Sequence, residues 1–359
     1  MASGEWREKE NAEALRTPRF AEKRISPQSG IPRCGRLSQT MKPRVSQCSH
    51  RHSTDIDPER QMDSKEWDRL VNVCVVRATT ALQHDTNGYD KGQRDHISDM
   101  FNSMAATNRG IRRLLAPGWG DPSTVDALAL ARLQLEGLYA LCLMFESPQY
   151  VDRFRRCYWR TTYVQYQLMR EETAGLSRFQ EVASATQVNL IKLGLDFGVT
   201  AAQLCTVENE ELGTPFPPGV APESIAPFPT PRAIDCIGMG DKRRMLERLH
   251  PKYQDLCSFA HGSGRANLFK IMFDERSPDA KFATDQERSK KFQSHVVGEA
   301  FTTSFFSIAQ ATAELTLLYP SRTELHAAAI DAWNQLSEAS LWTKAVWEIR
   351  TRNLFGAIR

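Results

Sequence analysis

Between Ala127 and Phe145 the chain is apolar around almost the full circumference of a helix, broken only by Arg132, Gln134 and Glu136. A helix of that kind needs neighbours on every side. Its uncharged part, Gly137 to Phe145, is too short for a bilayer, which takes roughly 20 apolar residues to cross. The segment is therefore expected to be the central helix of a packed domain, with no membrane partner.

Helical periodicity recurs on both sides of it. Trp67, Leu70, Val71, Cys74, Ala78 and Leu82 fall at helical spacing, as do Ile97, Met100, Phe101, Met104, Ile111 and Leu115. Asp121–Pro122 and Ser147–Pro148 each place a capping residue before a proline, which predicts helices over about 122–146 and 148–172. Further helical segments are expected over about 176–211, 241–262, 285–318, 322–338 and 340–355. The one over 285–318 carries a stripe of Val297, Phe301, Phe305, Ile308, Thr312 and Leu315. Seven prolines between Pro215 and Pro231 rule out a regular helix there, so 213–239 reads as a long extended connector, an insertion or a strap.

No strand alternation, internal repeat or glycine-rich phosphate loop is present. The fold class that follows is all-α, a multi-helix bundle with a disordered N-terminal tail and a Pro-rich connector. The expected organisation is a basic tail over 1–61, an N-terminal helical half over 62–212, the connector over 213–239, and a C-terminal helical half over 240–359 packed on the first.

With 359 residues, 41% hydrophobic and 25% charged, the chain is long enough to bury a large core. Its charge is unevenly spread. Residues 16–53 hold nine Lys or Arg against the single acid Glu22, whereas the whole chain is only +3, so the helical body is close to neutral and lacks the basic stripe of a nucleic-acid binder. The eight cysteines form no Cys-x-x-Cys pair. They read as reduced thiols in a cytoplasmic protein with no structural zinc. No cofactor or metal is expected.

Two segments could carry chemistry. Arg132 and Glu136 stand four residues apart on the apolar helix, where charges are costly unless paired, so a buried ion pair or a lined pocket is expected. In the second segment, Tyr253, Cys257 and His261 share a helical stripe, and Gly262 is placed to end the helix. The candidate catalytic residues are thus Arg132, Glu136 and His261. Arg244 and His250 stand six residues apart, which resembles the Arg/His pair of HEPN ribonucleases, but Met245 follows the arginine and Pro251 the histidine. Glu247 with His250, and His295 with Glu299, have metal-compatible spacing without further ligands, and the latter pair reads as a solvated face.

Arg132-x-x-x-Glu136 followed by Tyr253, Ser258, His261 and Gly262 resembles a bacterial helical family of unknown function, over about residues 65–320. That family is similar in style to the HEPN-type proteins of toxin, phage-defence and RNA-cleaving systems, many of which act as dimers. The resemblance implies a helical bundle in a defence or toxin–antitoxin setting. Two functions are carried forward. One is a helical interaction or regulatory protein, with a protein partner, self-association or RNA as what it binds. The alternative is a metal-independent, HEPN-like ribonuclease.

Overall fold

In a computed structural model the chain is described over residues 64–84, 87–115, 121–212, 219, 221–229, 234–260 and 285–356, with backbone alone at 64, 121–125, 210–212, 260 and 285–293. The tail expected over 1–61 and the site residue His261 lie outside the described residues. The fold is all-α, and no strand occurs among the described residues. In chain order the helices are α1 (Ser64–His84), α2 (Lys91–Leu114), α3 (Asp121–Met144), α4 (Pro148–Glu172), α5 (Ser177–Asp196) and α6 (Ala201–Leu212). After the connector come α7 (Asp241–Ala260), α8 (Asp285–Leu315), α9 (Thr323–Leu336) and α10 (Leu341–Val346). A π-helical turn (Trp347–Thr351) and α11 (Arg352–Gly356) follow.

Local signals fix several starts. Asp90 accepts a hydrogen bond from the Gln93 backbone at 2.8 Å while the Gln93 side chain accepts one from Asp90 N at 2.9 Å, a closed capping box on α2. Ser147 caps α4 and Pro148 occupies its first turn, as the sequence predicts.

The centre of the bundle is the pair α3 and α8, enclosed by α1, α2, α7 and α9. The stretch Asp126–Met144 is apolar enough to cross a membrane, with mean hydropathy 1.4, but 67% of it is buried by these neighbours. Helix α8 departs from the single stripe expected of it. From Thr302 to Leu315 it is buried on all sides, polar residues included. Two of these hydroxyls bond to their own helix, Ser307 to Thr303 O and Thr312 to Ile308 O, both at 2.8 Å; Ser304 donates across to Asn108 Oδ1 at 2.7 Å, and the Thr303 hydroxyl has no partner among the described residues. A hydroxyl bonded to its own helix can enter a core at little cost.

A second, smaller core gathers Trp159, Tyr163 and Tyr166 of α4 with Ala183 of α5, Val199, Val207 of α6 and Ile225 of the connector. The outer half of α4 and the antiparallel α5 form an arm on this core. The helical region expected over 176–211 consists of two helices, between which the chain turns at Gly198, which has φ +75°. Gly198 N donates to Leu195 O and Val199 N to Gly194 O, both at 2.9 Å, closing a Schellman motif. Thr200 and Gln203 then build a capping box that starts α6. The described part of the connector acts as a strap. Glu223 accepts from Thr200 and Gln203, Ala226 O accepts from the Cys157 thiol, and Phe228 meets the ring of Phe154 edge-on at 4.9 Å.

Candidate functional site

Helix α7 brings together the two segments singled out from sequence. Tyr253 donates from its hydroxyl to Glu136 Oε1 at 2.8 Å, and Arg132 donates to the same oxygen from Nη2 at 2.7 Å and Nε at 3.1 Å. The Arg132 guanidinium also lies 5.9 Å from the Tyr253 ring centre. Spacing along α7 sets Cys257 beside Tyr253, one turn on. Burial raises the Tyr253 phenol above its ordinary value, and Cys257 and Glu136 add to the rise. For Arg132 burial opposes the charge, but the Glu136 carboxylate, with Tyr253 and Cys257, offsets it and holds the guanidinium above its usual value.

The pair is less buried than the sequence suggested. The Arg132 and Glu136 side chains are 20% and 30% exposed, whereas Gln134 is fully buried and donates to Met104 O at 2.7 Å. With three donors on one carboxylate oxygen and a phenol that stays protonated, the cluster is a satisfied latch between α3 and α7.

A second polar cluster, not singled out from sequence, holds the other end of α7. Glu314 of α8 has no exposed side-chain surface and accepts two bonds from Arg350, from Nε at 2.7 Å and Nη2 at 2.6 Å. Gln310 donates to Glu314 Oε1 at 2.8 Å, and Thr351 donates to Gln310 Oε1 at 2.9 Å. Lys242 of α7 lies 3.7 Å from Glu314 and 2.5 Å from Glu146. The two acids and two bases balance. Arg350 and Thr351 both sit in the π-helical turn, whose wider spacing presents adjacent residues to one buried point. In the sequence, Glu314 is a lone acid in the run Phe305–Leu318, while its partner lies 36 residues away.

The other candidates separate. Arg244 is exposed, pairs with Asp241 at 3.6 Å and lines an open groove of about 630 Å³ with Glu247, Arg248 and Glu348. His250 is turned elsewhere, stacking on Tyr253 and meeting the Gln254 amide at 3.1 Å. Glu247 pairs with Arg243. The His295/Glu299 pair is not the solvated face expected: Glu299 lies against Lys252, and burial together with the Lys252 charge pushes His295 down to about 4. Among the described residues no group of three or more His, Cys, Asp or Glu is placed to hold a metal ion.

The remaining feature is a surface. Helix α5 runs for 20 residues and buries only Ala183 and Gly194. Its Val182, Val188 and Leu195 are 62%, 66% and 57% exposed, and Leu168 and Met169 on the neighbouring α4 are also open. No family model matches the chain, and no curated protein or solved structure shows significant similarity to it.

Proposed function

We propose that the chain is a helical interaction protein whose contact element is the arm formed by α4 and α5. One observation carries this: α5 holds three exposed aliphatic side chains on a 20-residue helix with two buried positions. A helix draws most of its stability from packing, and large aliphatics left outward along its length fit an element that a partner covers. The bundle, latched at both ends of α7, supplies the fixed base. The test is copurification from the native host with the wild-type chain and with Val188→Asp. A protein recovered with the wild type and lost with the variant is the expected result, together with loss of any phage-protection or growth-arrest phenotype. Equal recovery and an unchanged phenotype would end the proposal.

Metal-independent RNA cleavage is the second reading. It is supported by the Tyr253–Glu136 bond, which sets Arg132 and Glu136 against the helix that precedes His261 in sequence. RNA cleavage by the wild type that disappears in a stably folded His261→Gln would favour it; no cleavage by the wild type would remove it.

A further inference from the structure

Helical spacing places Arg178, Glu181, Ala185, Val188, Lys192 and Asp196 of α5 on one face, and all six are exposed. Along this face the order is plus, minus, small, apolar, plus, minus. The charges cancel, and none of the four has an ion-pair partner among the described residues. Glu181 and Lys192 cannot reach each other, being 11 residues or about 16 Å apart along the axis.

The order has a centre. Glu181 and Lys192 are equidistant from the midpoint between Thr186 and Gln187, and so are Ala185 and Val188. Arg178 and Asp196 are equidistant from Gln187, half a residue away. A two-fold axis there lays a second α5 antiparallel on the first. Glu181 then faces Lys192 of the second copy, Arg178 faces its Asp196, and Val188 seats against its Ala185, whose small side chain allows close approach. Parallel pairing in register would instead stack like charge on like charge.

We propose that the partner of the arm is a second copy of this chain, joined by antiparallel pairing of α5 about the Thr186–Gln187 midpoint. The proposal rests on the interaction reading above and names its partner. An isologous contact repeats each ion pair twice, so a single substitution is felt two times. One helix pair falls below the area of a standard stable interface, so the dimer is weak, forms in the micromolar range, and loosens as salt screens its charges.

Sedimentation equilibrium of the full chain across the micromolar range, at low and high salt, tests it. The wild type is expected to show a monomer–dimer equilibrium that weakens with salt. Glu181→Lys and Lys192→Glu should each weaken it about tenfold, because two attractive pairs become two repulsive ones. The combined E181K/K192E chain should recover to near the wild-type constant, with unchanged helicity throughout. A wild type that stays monomeric, single swaps without effect, or a double swap that fails to recover each overturns the proposal. If the wild type is monomeric but Val188→Asp still loses a protein recovered from the host, the interaction reading survives with a different partner. If neither assay responds, both fall.

Discussion

Arg350 grips Glu314 through two parallel hydrogen bonds across 36 residues, on a carboxylate with no exposed surface. Removing the guanidinium strands that charge beside Gln310 and a lysine 3.7 Å away. Arg350→Met is therefore expected to destabilise the fold by about 3–5 kcal/mol, and Glu314→Leu with Arg350→Met by less than half of that. Urea unfolding of both variants decides it. A double variant as weak as the single one would show that the pair does not act as a unit.

Gly194 sits where a Cβ would fall 2.6 Å from the Trp159 indole, which itself donates to Leu190 O at 2.7 Å. The ring is locked in the smaller core and cannot retreat. Gly194→Ala should cost about 1–3 kcal/mol. At Gly137 the crowding atoms belong to flexible Met104, 3.1 Å away, so Gly137→Ala should cost less. Hydrogen exchange adds a locator: protection should fall over 159–207 in the first variant and stay unchanged there in the second.

The latch of Arg132, Glu136 and Tyr253 is partly exposed, so its loss is milder than that of a buried pair. Glu136→Ala should cost about 1–2 kcal/mol and Tyr253→Phe about 1 kcal/mol. The two share one oxygen, so a double-mutant cycle should return a coupling above about 0.5 kcal/mol. Strict additivity would contradict the shared contact.

Acid should unfold the chain partly through two histidines. His295 is pushed down to about 4 by burial and Lys252, and His96 is lowered by burial and the Arg155 charge. Both have folded values below their unfolded values near 6.5, so the unfolded state binds more protons as the medium acidifies. Stability is fully present above about pH 6.5 and is lost as pH falls toward 4. His295→Gln should flatten that loss. An unchanged slope in thermal midpoint against pH would show that His295 is not among its sources.

The parts of this fold that were legible in sequence are those whose signals are local. Ser147–Pro148, the apolar circumference of α3 and the proline-dense connector each announce themselves within a few residues. The turn at Gly198 was also written locally, as Gly-Val followed by Thr-x-x-Gln, but it lies inside a run with helical periodicity on both sides. Helix α8 looked amphipathic because its serines and threonines count as polar, although Ser307 and Thr312 bond to their own backbone and can be buried. The latch was half legible: Arg132 and Glu136 were conspicuous on their helix, and only folding brings Tyr253 to them. Glu314 and Arg350 required a long-range contact that no spacing announces. The charge order of α5 was present in the sequence but acquires meaning only once that face is known to be exposed.

Helix α4 belongs to both cores without a joint, with Val151 in the bundle and Trp159, Tyr163 and Tyr166 in the arm. The arm is therefore phased to the bundle as a screw thread is to its shaft. Inserting one residue into α4 between Val151 and Trp159 would rotate the outer half by about 100° and swing Trp159, with the rest of its core, around the helix axis relative to the bundle. Seven residues, matched by seven in α5, make nearly two whole turns and would lengthen the arm while keeping its faces aligned. Its reach can change only in discrete steps, and a length variant that respects them should keep the turn at Gly198 intact.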